Sequence, residues 1–370
     1  MSADLTIVAA SAAPSRIPAI EGLRGLSAML VVAFHVYAMA MTGGFYPTID
    51  ARSPLHGVEL LGGFGVASFF IISGYLITRS LRADPRPASF LRRRALRLYP
   101  LFVPLHVLAF TVGPWLGEPW LRALRGAPSR WALHFLTNLF FLPGVFELPI
   151  AQKTAWSLSW EAAFYLLAAI VCVALAWRER ARPLALLLFG LVAIAAAALL
   201  WRSLVGAFFV VGIGCAFTPA RLIERLPSRG VATLLGALAY VGAFACYRVA
   251  PPLAIAPLGL AFVTLVPGRG LLARGLSTAP LQFLGRISYS LYLVHPFVLL
   301  PGKMLLARHP ELVASPGARL LAFGLAGGAL SIAVAYLAWR ALEVELTRRI
   351  ARSLPRAHRE GRWNGCASPT

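Results

Sequence analysis

Acid is what this sequence has least of. Only 14 of its 370 residues are Asp or Glu and only two are Lys, while 33 Arg bring the formal charge to +21. Charged residues reach just 13% of the chain, where an ordinary soluble domain holds about a quarter. That scarcity, with 59% hydrophobic residues and a mean hydropathy of +0.73, excludes a soluble domain and leaves a polytopic membrane protein. Ten-residue segments of alternating polarity are missing, which excludes a membrane barrel and makes the spans helices. Cysteine is scarce too. Cys172, Cys215, Cys246 and Cys366 show no CxxC spacing, so neither a disulfide framework nor a metal site is expected. Phosphate loop, GxSxG elbow and HExxH pair are all absent. The arginines sit between apolar runs, which reads as membrane topology and not as a nucleic-acid surface.

What is present is a series of ten apolar runs: 17–40, 61–78, 98–116, 156–176, 184–200, 203–217, 231–247, 253–267, 283–305 and 318–341. The expected fold is therefore an all-α integral membrane protein of about ten transmembrane helices. A shorter run, 131–143, is too brief to cross and is expected at an interface. With the N-terminus inside, the inner loops and tail carry 21 basic residues against nine outside, so the expected topology is N-in/C-in. The chain then divides into a short cytoplasmic segment (1–15), one membrane domain (16–346) and a basic cytoplasmic tail (347–370) facing anionic lipid. No cleavable signal peptide and no internal repeat are legible. The expected location is a cell membrane, the inner membrane of a bacterium.

The first run holds the most informative residues, because ionisable side chains in a spanning helix cost at least about 2.5 kcal/mol on insertion scales. It contains Glu21, Arg24 and His35. Arg24 and His35 are eleven positions apart, which at about 100° per residue returns them to within about 20° of one face, roughly 16 Å apart along the axis. In the expected topology Arg24 lies in the inner half of the membrane, and His35, Glu161 and His295 lie in the outer half. Three titratable groups at one depth suggest a shared site. At the inner end, FLRRRALRLYP places Arg92, Arg93, Arg94 and Arg97 at the head of the third helix, with Arg94 and Arg97 on one face. Guanidinium groups there suit phosphate, and Arg286 at the inner end of the ninth run could join them. The second run, GGFGVASFFIISGYLI, carries Gly62, Gly63, Gly65 and Gly74 with Ser68 and Ser73. Small residues of that kind permit close helix contact, or a channel with Ser73 as a polar group.

Six segments, IEGLRGLSAMLVVAFH, GVASFFIISGYLIT, FLRRRALRLYP, WSLSWEAAFY, LGRISYSLYLVHP and the late LEVE, occur in an order that resembles the membrane-bound acyltransferase-3 family. The resemblance covers about 17 to 345. It implies that Arg24 and His35 form that family's Arg-ten-residues-His motif and that Arg94 and Arg97 form its RxxR motif. It further implies an acyl-CoA donor, expected as acetyl-CoA, bound from the cytoplasm as a co-substrate. The implied acceptor on the far side is a polysaccharide, lipid-linked sugar or glycoside. Glu343 would be the family's late Glu, although Glu345 stands where a Pro is usual. Longer members carry a C-terminal extracytoplasmic domain not legible here. On this reading His35 is the general base, Glu161 orients its ring or holds a proton, and Arg24 positions the thioester. The competing reading is a secondary transporter or flippase, which would place its sites near the midplane between repeat-related halves.

The topology is directly testable. Cysteine introduced at Ser129 should react with an impermeant thiol reagent on intact cells while cysteine at Ser80 should not; labelling at Ser80 would invert every depth assigned above.

Overall fold

The computed structural model describes residues 17–49, 54–116, 119–218, 229–268 and 270–353. The segment 1–15 and most of the basic tail, 354–370, lie outside the described residues. Helix is the only regular structure among the described residues, apart from one isolated bridge between Pro143 and Phe146. In chain order the helices are α1 (Pro18–Thr42), α2 (Leu61–Ala83), α3 (Pro87–Leu116), the single turn α4 (Pro119–Arg122), α5 (Pro128–Leu139), α6 (Trp156–Trp177), α7 (Arg182–Arg202), α8 (Ala207–Phe217), α9 (Arg229–Val249), α10 (Ile255–Leu265), α11 (Leu271–Leu276), α12 (Ala279–Arg286), α13 (Ser288–Arg308) and α14 (Pro316–Ala338). A π-helical segment, Trp339–Leu346, continues α14 into α15 (Thr347–Ser353).

Seven of these helical stretches are long and apolar enough to cross a membrane. Three shorter apolar helices, Leu204–Phe217, Leu234–Val249 and Pro251–Leu265, stand where the remaining runs are expected. Helix α7 shows why a bilayer is required. It buries only Ala185, and Ile194 and Trp201 are 69% and 94% exposed, an apolar surface that water would not tolerate. Helix α5 covers the expected interfacial run and lies against α3, with Trp131 Nε1 donating to Phe110 O at 3.2 Å.

Three boundaries differ from the sequence reading. Proline at the first turn starts α3 at Pro87, eleven residues before the apolar run, so the Arg cluster is inside the helix. The expected span 283–305 is broken at Ile287, where the amide of Ile287 caps α12 by donating to Phe283 O and Gly285 O. Arg286 therefore ends a separate short helix. The last span runs past 341 because its backbone widens into the π segment and stays helical.

The centre of the bundle is α1, enclosed by α2, α11, α12, α13 and α14. Backbones come close wherever small residues face each other. A Cβ on Gly22 would collide with the Leu276 carbonyl, and one on Gly285 with the Glu21 carbonyl. Gly65 of α2 lies so near α1 that a Cβ would stand 2.7 Å from Ser27 O. Gly74 of α2 and Gly212 of α8 interlock in the same way, each blocked by the other helix's backbone. Without a hydrophobic drive between helices in lipid, such close contact is a main source of association.

Gly74→Ala should therefore lower the thermal midpoint of the purified protein, since overpacking costs about 1–3 kcal/mol and exceeds the roughly 1 kcal/mol gained in helix propensity. Gly190→Ala, with open space around its Cβ, should leave the midpoint unchanged or slightly raised. Equal midpoints for both variants would refute the interlock.

Candidate functional site

Two clusters of polar side chains lie inside the bundle, side by side along α13. The first surrounds a cavity of about 160 Å³ bordered by Arg24, Ser73, Arg94, Arg97, Glu161, Ser288 and Tyr292, with Phe69 and Phe70 on its apolar wall. Arg24 of α1 pairs with Glu21 one turn earlier, Nη1 to Oε1 at 3.3 Å, and its Nη2 donates to Ser288 Oγ at 2.9 Å. Arg94 lies over the rings of Phe90 and Tyr165, at 5.3 and 5.2 Å, and Arg97 over Tyr289 at 5.9 Å. Cation–π contacts hold both guanidinium groups from behind and leave their N–H edges for an anion. The Tyr289 hydroxyl is fixed by donating to Leu98 O at 2.8 Å.

The carboxylates of this cluster are held by hydroxyl groups. Glu161 accepts hydrogen bonds from Ser73 Oγ at 3.0 Å and from Tyr165. Glu343, on the π segment, accepts from Ser290. The sequence reading paired Glu161 with His35 at one depth; its bonded partners are instead on the arginine side. The reason is rotational. Ser157, Glu161 and Tyr165 share one stripe of α6, and that stripe faces α2 and α3, where Ser73, Phe90 and Arg94 stand.

The second cluster holds His35 and His295, whose ring centroids are 4.8 Å apart. Tyr292 stands between the clusters. Its ring is 5.9 Å from Phe69 and 6.4 Å from His295, and its hydroxyl meets Thr154 O at 2.9 Å and Ser157 Oγ at 2.7 Å. Arg93 is outside the cavity. It binds Asp84 Oδ2 at 2.7 Å and Ser89 Oγ at 2.6 Å. Hydrogen bonds from Arg86 first, and then from Arg93, hold the Asp84 carboxyl well below the usual carboxylate range. Arg286 is exposed and lies over Phe283 at 5.9 Å, away from both clusters. No group of three or more metal-ligating side chains occurs among the described residues.

Five site side chains were not singled out from the sequence: Ser157, Tyr165, Ser288, Tyr289 and Tyr292. The signal was present for Ser288 and Tyr292. In SYSLYLVH, Ser288, Tyr292 and His295 recur at four and three positions, one polar stripe on an apolar helix.

A family model described as an acyltransferase domain matches residues 17–340. Among curated proteins, the chain is 27% identical over 328 residues to the acyltransferase MdmB of Streptomyces mycarofaciens, covering 79% of this chain and 81% of that one. It is 29% identical over 243 residues to the peptidoglycan O-acetyltransferase OatA of Listeria monocytogenes, covering 62% of this chain and 34% of the relative. A third match, to the O-acetyl transferase of Shigella phage Sf6, is 34% identical over 93 residues, about a quarter of each chain. The chain thus spans most of MdmB and about a third or less of the other two. No solved structure matches.

The two arginine environments predict different consequences. With coenzyme A as a polyphosphate probe in calorimetry, Arg97→Ala should raise the dissociation constant at least tenfold, since a charged hydrogen bond contributes about 1.5–3 kcal/mol. Arg93→Ala, whose side chain is committed to Asp84, should stay within about twofold on the same energy scale. Similar losses in both would mean the cavity does not select the anion.

Proposed function

Since the chain belongs to the acyltransferase domain family, we propose that it is an integral-membrane O-acyltransferase that moves an acetyl or similar short acyl group from acyl-CoA to a hydroxyl of a carbohydrate, lipid-linked sugar or glycoside. The observation that carries this reading is the convergence of Arg24, Arg94 and Arg97 on one cavity whose far border, Tyr292, touches the His35–His295 pair. An anion-binding end and a proton-accepting end within one helical bundle are what transfer from a nucleotide thioester to a hydroxyl requires. The name of one relative, a peptidoglycan O-acetyltransferase, favours a carbohydrate acceptor.

In this mechanism Arg24, Arg94 and Arg97 hold the phosphate-bearing end of the donor, and its thioester end extends toward His35, roughly 16 Å further along α1. Glu21 and Ser288 fix Arg24, so the cation is oriented before the donor arrives. His35 acts at the other end. Its Nδ1 donates to Val31 O at 2.9 Å, which leaves Nε2 as the nitrogen able to take a proton. Nε2 removes the proton of the acceptor hydroxyl as the new C–O bond forms, the C–S bond breaks, and the thiolate leaves. Glu161, bonded to Ser73 and Tyr165, balances the arginine charge and orders the cavity wall. The enzyme acts at the inner membrane of a bacterium, with the donor inside and the acceptor outside.

Comparing the surface glycans and secreted glycosides of a deletion strain with those of its complement tests the reading as a whole, and loss of an O-acyl group in the deletion is the expected outcome. His35→Gln tests the base. It keeps bulk and hydrogen bonding but cannot take up a proton, so the protein should reach the membrane at normal abundance with acylation reduced about 10²–10⁴-fold. A His35→Gln complement that restores full acylation would remove His35 from the mechanism.

A further inference from the structure

The His35–His295 contact has an unusual hydrogen-bond inventory. The rings meet edge to face, 4.8 Å between centroids and 64° between planes. In each, Nδ1 lies within hydrogen-bond distance of the carbonyl one turn earlier: His35 to Val31 O at 2.9 Å and His295 to Leu291 O at 2.8 Å. A carbonyl oxygen can only accept, so each Nδ1 carries the proton, and each neutral ring presents a bare lone pair at Nε2. His295 is 0% exposed, and its Nε2 has no hydrogen-bond partner among the described residues. Folds rarely leave a buried acceptor unmade, and an exception asks for a use. His35 is only partly buried, so its side of the pair is the open one.

We propose that His35 and His295 form a proton-accepting pair in which His295 Nε2 shares the proton that His35 Nε2 takes from the acceptor hydroxyl. This rests on the acyl-transfer reading and adds a second imidazole to it. As the acceptor O–H bond breaks, the oxygen electrons form the new bond to the acyl carbon and the C–S electrons leave on the thiolate. The proton is held by the two Nε2 atoms until the departing thiolate, or water, takes it. One proton enters the pair and one leaves. His295 makes no contact with the arginine cavity and is a positioning residue by this argument: it acts through His35.

Membrane vesicles from the complemented deletion strain carry their own acceptor, so acetyl-CoA is the probe and release of coenzyme A above deletion-strain vesicles is the rate. For His295→Gln the expected result is wild-type abundance, release slowed at least tenfold at saturating acetyl-CoA, and a KM for acetyl-CoA within about twofold of wild type, the signature of an interaction absent from donor binding. The pH dependence of the rate supplies the readout that a packing role would not move. A proton shared between two Nε2 atoms is held more tightly than one on a single ring, so the acid limb of the rate, where the base is already protonated, should move to lower pH in His295→Gln. A rate within threefold of wild type, or an acid limb that does not move, each overturns the pair. Should His295→Gln not accumulate, His295→Asn gives the same readouts with a smaller amide. His35→Gln separates the two readings. A fully active His35→Gln, or wild-type vesicles that release no coenzyme A, refutes the acyl-transfer mechanism itself, whereas an inactive His35→Gln beside a fully active His295→Gln refutes only the pair.

Discussion

A guanidinium that must stay charged inside an apolar slab is the constraint on which this bundle depends. Arg24 meets it with one carboxylate on its own helix and one hydroxyl on another, Glu21 and Ser288. The second partner is available only because α1 lies almost backbone to backbone against the α11–α12 region. Gly22 meets the Leu276 carbonyl, and Gly285 meets the Glu21 carbonyl. A larger residue at either glycine would force α1 and the α11–α12 region apart, next to the start of α13 that carries Ser288. Close packing and charge satisfaction are one arrangement here, since an uncompensated intramembrane cation costs several kcal/mol.

The same economy governs the carboxylates. Glu161 and Glu343 are held by hydroxyl groups of Ser73, Tyr165 and Ser290, without direct ion pairs to Arg94 or Arg97. Those two arginines rest on aromatic faces and keep their hydrogen-bonding edges toward the cavity. The π segment is part of this. Widening the turn between Trp339 and Leu346 sends Glu343 inward to α13, while Glu345 points out to Arg349 at 2.9 Å. Such local departures from α geometry recur at functional sites, and this one lets a helix contribute a single inward carboxylate from a strongly charged stretch.

Much of this was legible from residue order. The apolar runs located the helices because no other regular structure satisfies backbone groups in lipid. The Arg24–His35 stripe and the i,i+3 pair of Arg94 and Arg97 follow from helical periodicity alone, and both ends of the site carry them. What periodicity does not contain is the rotation of one helix against another. Glu161 was placed with His35 because depth can be read from a sequence and facing cannot; the α6 stripe turns it toward Ser73 and Arg94 instead. Arg93 and Arg94, adjacent in sequence, diverge for the same reason, one to Asp84 and one to the cavity. The break at Ile287 was hidden because Gly285 and Ile287 sit in an otherwise continuous apolar run.

Helix α13 is where the two ends of the site become one. Ser288, Tyr292 and His295 share a face, and seven residues at about 1.5 Å each put Ser288 and His295 roughly 10 Å apart along it. The arginine cavity ends at Tyr292, and the imidazole pair begins one turn further on. Pro296 falls at this junction inside the helix. Lacking an amide hydrogen, it leaves the Tyr292 carbonyl without the donor that would normally bond it four residues later. His295 stands beside that gap, and its Nδ1 donates to Leu291 O at 2.8 Å. That acceptor fixes the Nδ1-protonated tautomer, as Val31 O does for His35, and leaves the Nε2 lone pair turned away from the helix backbone. The carbonyl one turn back, not the proline, thus sets which nitrogen of each histidine is free to accept a proton.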